Sequence, residues 1–391
     1  MRLALLFGIL TLAAPGFAQG GPTSGTAPVV LDGNRTYAEV SFVRPDGTVH
    51  KALAFVDMGS ATSTVTASLF RELGLGKRPL TFRVGSMEVH VAAAEVISDP
   101  SAARTLGADL KVEAMLPAGV LQNYQVVIDY GARTLTLAQP GTLKPEGIAV
   151  PFHIAKQSGL IAVDASIDGK PYAVTIDNGS AYSWLRQSAA KAWLAAHPDW
   201  ERGVGAVGTS NMMMSGDGAE ASGILLRIPE IIVGSLSLID VGVLGAGPGK
   251  GPGGNVTLFD WYSTKNAVPV IGWIGGNVLK GFCLTVDYPN RTLYWLKQTD
   301  ADAHELDQVG LTLKARGGDY VVAAIATKNG RPTVDGVQPG DRLLQVGEWP
   351  LKHATWGAIY SALHGRPGEV RTLTLERQGH RVIVQAGVTA F

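Results

Sequence analysis

The chain has 391 residues but only one cysteine, Cys283, so it can form no intramolecular disulfide and no cysteine-based metal cluster. Its eight histidines are scattered without the spacing of a metal site, and we expect neither a metal nor another cofactor. Basic and acidic residues balance at 33 each, and no basic run occurs. We therefore expect no nucleic-acid partner. No apolar run is long enough to span a bilayer.

The longest apolar run, Leu3 to Ala14, follows Arg2 and precedes the small residues Gly16-Phe17-Ala18. This order is typical of a signal peptide, predicted here over residues 1–18. The alternative is a buried N-terminal strand. Because an exported chain without disulfides fits a bacterial periplasm or exterior best, we predict a periplasmic or secreted protein.

One short pattern occurs twice, over Ala54 to Ser60 and over Val174 to Ser180. Each copy is an apolar run typical of a buried strand, followed by an aspartate, one variable residue and Gly-Ser. A buried carboxylate is costly unless its charge is bound. The glycine brings a backbone N–H close to the acid, and the serine hydroxyl can donate to the outer oxygen. Asp57 and Asp177 are therefore candidates for a carboxylate pair that shares one proton.

A second landmark is also duplicated. Val120-Leu121 and Val278-Leu279 are each followed at the same spacing by an Asp-Tyr pair and an Arg-Thr-Leu run. Two landmarks in one order predict an internal duplication, with β-rich lobes over 27–145 and 146–300 related by a pseudo-twofold axis. The acids of this landmark, Asp129 and Asp287, precede turns. We expect them to bind turn amides rather than to act in catalysis.

The paired Asp-x-Gly-Ser turns resemble those of pepsin-like and retropepsin-like aspartic proteases over roughly residues 27 to 297. The resemblance implies a mostly β fold and an endopeptidase that activates a water between two acids, with peptide or unfolded protein as substrate. It assigns catalysis to Asp57 and Asp177, and support to Gly59, Ser60, Gly179 and Ser180. The family has Thr or Ser after each acid, whose hydroxyl links the lobes, whereas this chain has Met58 and Asn178. Met58 cannot form that link and Asn178 can form it in part. The alternative is a catalytically degenerate scaffold that binds peptide or protein.

The family also closes a hairpin flap over its substrate. The candidates here are Arg83 to Val89 in the first lobe and Gly203 to Gly223 in the second, and both could equally be ordinary turns. Met212-Met213-Met214 favours an adaptable apolar loop over a metal site. Gly245 to Gly254 favours a surface loop, because Lys250 lacks the Ser or Thr that follows the lysine of a phosphate loop.

The polar stretch Gln298 to Asp307 is typical of a linker, and the stretch Gly336 to Gly347 after it resembles a bacterial-type PDZ domain. We assign this small β-rich domain to residues 308–391. The resemblance implies that Ala354 to His364 is a helix beside a groove for a peptide C-terminus, and that Asp341 is a turn residue. The backbone amides that would bind the peptide carboxylate belong to Gly310, Leu311, Thr312 and Leu313.

Overall fold

The computed structural model describes residues 22–102, 109–200, 202–205, 219–247 and 256–391. The described chain is mostly β, which confirms the predicted fold class. The predicted signal peptide and Met212 to Met214 lie outside the described residues. None of the helices in the described part is long and apolar enough to cross a membrane.

The first half of the chain consists of short strands with few helices. Its strands are β1 (Ser24–Asp32), β2 (Arg35–Val43), β3 (Val49–Asp57), β4 (Ser63–Thr66), β5 (Leu80–Val84), β6 (Met87–Val91), β7 (Val96–Asp99), β8 (Val112–Pro117), β9 (Gln125–Asp129) and β10 (Thr134–Ala138). Its helices are α1 (Ala67–Glu72) and α2 (Ala118–Leu121), with a 3₁₀ turn at Ala93–Glu95. Helix α1 begins after Thr66, whose hydroxyl accepts from the Leu69 N–H at 3.2 Å and so caps the helix.

Among the described residues, the second half has the same number of strands as the first, including two long ones, Ile224–Val233 and Leu236–Ala246, that pair with each other. Its strands are β11 (Ile148–Ile154), β12 (Ile161–Ile167), β13 (Lys170–Ile176), β14 (Ser183–Arg186), β15 (Arg202–Val204), β16 (Ile224–Val233), β17 (Leu236–Ala246), β18 (Gly272–Ile274), β19 (Phe282–Asp287) and β20 (Thr292–Lys297). Its helices are α3 (Gln187–Ala196), α4 (Leu258–Lys265) and α5 (Gly276–Leu279).

Several strand pairings recur in both halves. In each half a central strand pairs in parallel with a later one, β3 with β8 and β13 with β18. The strand after each acid also has the same neighbours, since β4 pairs with β7 and β8, and β14 with β17 and β18. These shared pairings agree with the duplication expected from the short motifs, and the two-lobe arrangement stays a prediction.

A six-stranded antiparallel sheet joins the halves in the order β1, β10, β9, β19, β20, β11. Val127 of β9 pairs with Thr285 of β19 at its centre. Each of these residues lies two positions before the aspartate of its duplicated landmark, Asp129 or Asp287. Equivalent residues therefore face each other where a twofold axis relating the halves would pass.

Residues 308–391, called here the C-terminal domain, have their own apolar core, and all their strands except β23 and β24 form a separate sheet. The elements are β21 (Leu311–Arg316), β22 (Asp319–Ile325), β23 (Thr327–Lys328), β24 (Arg331–Pro332), β25 (Arg342–Val346), β26 (Trp349–Pro350), α6 (Trp356–Leu363), β27 (Val370–Arg377) and β28 (His380–Gly387). Asp341 is the expected turn residue, accepting from the Gln338 N–H at 2.8 Å and from two nitrogens of Arg377.

The stretch before this domain, Gln298 to Asp307, packs more tightly than its polar sequence predicts. Glu305 is buried, and its carboxylate accepts from Arg227 and from the Gly242 N–H, both at 3.1 Å. Strand β23 pairs with β15 through Thr327 and Val204, so the sheet of the second half continues into the C-terminal domain. The stretch is an anchored connection because its polar groups find partners in the second half.

Candidate functional site

Asp57 and Asp177 end two equivalent strands, β3 and β13, and the chain turns sharply after each. Each turn is held by the neighbouring helical turn of its own half. The Ser60 carbonyl oxygen accepts from the Ala118 N–H, and the Ser180 carbonyl oxygen from the Gly276 N–H, both at 2.8 Å. The two acid-bearing turns are therefore built alike and supported alike.

The two acids meet between the halves. Each carboxylate lies against the glycine of the opposite turn: a Cβ on Gly59 would be 2.3 Å from Cγ of Asp177, and one on Gly179 would be 2.4 Å from Oδ1 of Asp57. Such distances exclude any side chain at either glycine. The two carboxyl groups are close enough for each to change the pKa of the other. Both acids are buried, with 7% of Asp57 and 4% of Asp177 exposed.

Backbone amides support each acid, as the sequence predicted for the glycines. The Gly59 N–H donates to Oδ1 of Asp57 at 2.8 Å, while Gly179 and Ser180 both donate N–H groups to Oδ1 of Asp177 at 3.0 Å. The predicted role of the serine hydroxyl is wrong for Ser180. Its Oγ donates to the Tyr182 carbonyl at 2.6 Å and accepts from the Trp273 indole at 2.7 Å, because the chain bends back beside it.

Asn178 forms two hydrogen bonds that link the two turns. Its Oδ1 accepts from the Met58 N–H at 2.8 Å, and its Nδ2 donates to the Val56 carbonyl at 3.0 Å. One amide carries both an acceptor and a donor, so a single side chain supplies two bonds across the interface. Asn178 therefore forms the link that the sequence led us to expect of it in part, and both bonds come from its side chain.

Met58 follows Asp57 as Asn178 follows Asp177, but its side chain contributes apolar packing instead of hydrogen bonds. Its side chain is completely buried in the apolar core. A flexible thioether fills irregular space in such a core without requiring a hydrogen-bond partner. The pair is therefore complementary, with one residue supplying polar bonds and the other apolar packing.

Burial and mutual repulsion perturb both acids strongly. Burial and the negative charge of Asp177 raise the pKa of Asp57 well above its ordinary value. Burial also raises the pKa of Asp177, to about 6, while the Ser180 and Gly179 N–H groups and the proton on Asp57 oppose that rise. Asp177 has two amide donors and Asp57 one, so the pair is arranged with Asp177 ionised and Asp57 protonated.

Two residues near the acids escaped the sequence analysis. Arg35 is 1% exposed, and its positive charge lowers the pKa of both Asp57 and Asp177. Burial and the charges of both acids raise the pKa of Tyr262 of α4, and its ring lies 5.1 Å from that of Trp273. No local pattern marks either residue, because both are brought to the acids by strands or helices distant in sequence.

The flap hypothesis for Arg83 to Val89 is wrong. This hairpin pairs with β2 through Ser41 and Arg83, whereas Thr36 of β2 pairs with Val56 beside the acid. Five residues separate Ser41 from Thr36, about 17 Å along a strand. The hairpin tip packs instead on β1, where a Cβ on Gly85 would be 2.3 Å from the Thr26 oxygen.

The other flap candidate, Gly203 to Gly223, begins as a hairpin because β15 pairs with β16 through Arg202 and Leu226. Its residues 206–218 lie outside the described part of the chain, as do residues 248–255 of the predicted surface loop Gly245 to Gly254. The second candidate therefore stays a prediction.

Asp129 and Asp287 hold turns, as predicted. Asp129 accepts from the Ala132 N–H at 2.8 Å, and Asp287 from the Asn290 side chain at 2.9 Å. They lie at opposite ends of the β9–β19 pairing, so they do not form a second acid pair.

The four residues predicted to bind a peptide carboxylate, Gly310, Leu311, Thr312 and Leu313, are all buried. The Val309 N–H next to them already donates to the Leu363 carbonyl at the end of α6. Peptide binding there stays a prediction, and it requires the segment to open.

Within the described residues, no group of three or more His, Cys, Asp or Glu side chains is placed to hold a metal ion. Comparison with protein-family models and with curated proteins returns no significant match.

Proposed function

We propose that this protein is an exported aspartic endopeptidase, with Asp57 and Asp177 as its catalytic residues. The observation that supports this most directly is the acid pair itself. Two buried carboxyl groups from equivalent turns lie against each other's turn, are coupled in their pKa values and are held by backbone amides. Two charged carboxylates so close repel strongly, so one of them keeps its proton near neutral pH.

Because their surroundings differ, the two acids have different roles in the reaction. Ionised Asp177 acts as the base that takes a proton from a water, whose oxygen then bonds to the carbon of the scissile amide. Asp57 donates its proton to the carbonyl oxygen and so stabilises the developing charge. The diol intermediate collapses when Asp177 passes its proton to the amide nitrogen and Asp57 recovers its own. The carbon–nitrogen bond then breaks.

The two-bond link of Asn178 supports an active enzyme, although the residue differs from the family pattern. Catalysis depends on the relative position of the acids, and a displacement of about 1 Å costs roughly a hundredfold in rate. The Asn178 bonds to Val56 and Met58 join the two turns within one residue of each acid. The halves are also covalently connected, so one chain supplies the whole pair.

Substrate is proposed to be peptide or unfolded protein, as the family resemblance implies. The C-terminal domain adds either a site for a peptide C-terminus or a clamp on the two halves. Burial of Gly310 and its neighbours favours the clamp. A periplasmic or secreted location follows only from the signal-peptide pattern.

The test is cleavage of a denatured protein and of a fluorogenic peptide library by the wild type, Asp57→Asn and Asp177→Asn. The matched control is Asp164→Asn, which changes an acid whose side chain is 81% exposed on β12. We expect cleavage by the wild type and the control, and loss of cleavage in both dyad variants with circular dichroism unchanged. The pH profile should be a bell whose acid limb lies near the pKa of about 6 of Asp177.

The competing function is a peptide- or protein-binding scaffold without catalysis, favoured by the low exposure of both acids. A folded wild type that binds denatured protein, yet cuts neither substrate at any pH from acid to neutral, would replace the protease with this scaffold.

A further inference from the structure

Helix α6 of the C-terminal domain lies at the boundary between the two halves of the chain. On the first half, the Thr355 hydroxyl donates to Oδ1 of Asp32 at 2.5 Å. On the second half, the Tyr360 ring lies 6.2 Å from the ring of Tyr182, five residues after the catalytic Asp177. One helix therefore contacts both halves close to the acid-bearing turns.

The contact with the first half is very close because α6 has a glycine there. A Cβ on Gly357 would be 2.5 Å from Oδ1 of Asp32 and 2.7 Å from the backbone nitrogen of Gly33. The helix could not take this position with any other residue, although glycine is unfavourable inside a helix. Gly357 thus allows α6 to pack directly against the turn between β1 and β2.

The same contact covers Arg35, the first residue of β2. Its guanidinium carbon lies 5.4 Å from the centre of the Trp356 ring, within the range of a cation–π interaction. Both residues are only 1% exposed. The indole therefore closes one side of the space that the guanidinium occupies.

The other side of that space faces the acids. Arg35 pairs with Asp32 across the β1–β2 turn, and the neighbouring Thr36 pairs with Val56, the residue before Asp57. The titratable groups whose pKa values the Arg35 charge lowers are Tyr37, Asp57, Asp177 and Tyr182. A buried guanidinium is tolerated only near negative charge. A dyad with one proton carries one negative charge, which complements Arg35.

We propose that the C-terminal domain is part of the candidate catalytic centre: α6 holds Arg35 beside Asp57 and Asp177 by placing Trp356 over it. Arg35 and Trp356 are positioning residues in this arrangement. The C-terminal domain then covers one side of the centre. It needs no peptide C-terminus at Gly310 for this role. The inference rests on the proposed function only for its effect on cleavage.

The sharpest test is Gly357→Ala, which leaves Arg35 and Trp356 unchanged and favours the helix by itself. The added methyl meets backbone of the β1–β2 turn, so α6 must move away and Arg35 gains water. The matched control is Gly387→Ala, at a glycine of the same domain where a Cβ would meet nothing within 4 Å. A second pair compares Trp356→Phe, which keeps a ring over Arg35, with Trp356→Ala.

Two readouts separate this inference from the proposed function. The first is the titration of the Asp57 and Asp177 carboxyl carbons by ¹³C NMR, which needs no activity. Weaker contact with the Arg35 charge should shift these titrations upward in Gly357→Ala and Trp356→Ala, because that charge lowers both pKa values. Trp356→Phe should move them less, and Gly387→Ala should match the wild type. The second readout is cleavage, whose acid limb should move by the same amount.

Titrations that stay at wild-type positions, or move downward, in folded Gly357→Ala and Trp356→Ala would overturn the inference even if the wild type is an active protease. The predicted shifts in a protein that cleaves nothing would support the inference and reject the protease. If Trp356→Ala does not fold, Gly357→Ala decides the question alone.

Discussion

Replacing Asp177 by Asn should make the protein more stable at neutral pH. The pKa of Asp177 is raised from 3.8 to about 6. Below pH 3.8 the acid is protonated in both the folded and unfolded states. Between these values the folded state binds more protons, so folding stability falls as pH rises. A shift of about two pKa units corresponds to a loss of about 3 kcal/mol, complete above pH 6.

The variant should escape this loss because an asparagine amide fits the same contacts. Its Oδ1 can accept the N–H groups of Gly179 and Ser180, and its Nδ2 can donate to Asp57. We expect the variant to melt about 5 °C higher than the wild type near pH 7, with a smaller difference near pH 4. Thermal melting by circular dichroism at several pH values measures this. A variant less stable than the wild type at pH 7, or a difference independent of pH, would refute the assignment of Asp177 as a buried, strained carboxylate.

Three further substitutions test other contacts, two of them next to the acids and one in the C-terminal domain. Asn178→Ala removes both bonds between the turns and should cost about 1–3 kcal/mol in denaturant unfolding, together with much of any turnover; unchanged stability would show that the link is dispensable. Met58→Thr should cost about 2 kcal/mol or more, because a smaller polar side chain enters a filled apolar site; a stability equal to that of the wild type would contradict this packing argument. Asp341→Asn should cost about 2 kcal/mol at neutral pH and less in acid, since hydrogen bonds from Arg377 hold the pKa of Asp341 below its ordinary value. Equal melting shifts at both pH values would contradict that pairing.

Local chemistry made several features predictable from the sequence. The cap at Thr66, the turn residue Asp341, and the Gln378-Gly379 turn between β27 and β28 depend on neighbours within a few positions. The pairing of Asp57 with Asp177 was also predictable, although it is a distant contact. Two copies of one turn in a duplicated chain are expected to meet near the axis that relates the copies.

Tertiary structure decided the features that depend on distant partners. The alternation of apolar residues shows which face of a strand is buried, but not what covers it. The sequence therefore could not show that Asn178 would bind Val56, that the Ser180 hydroxyl would bind Tyr182, or that Trp356 would lie over Arg35. The hairpin at Arg83 to Val89 was ambiguous for the same reason, because its location depends on its register against β2. The sequence by itself was enough to predict the two paired acids, the turns that carry them and a mostly β chain. The fold decided which groups surround those acids, because only packing of elements far apart in the chain brings charge and burial to one point.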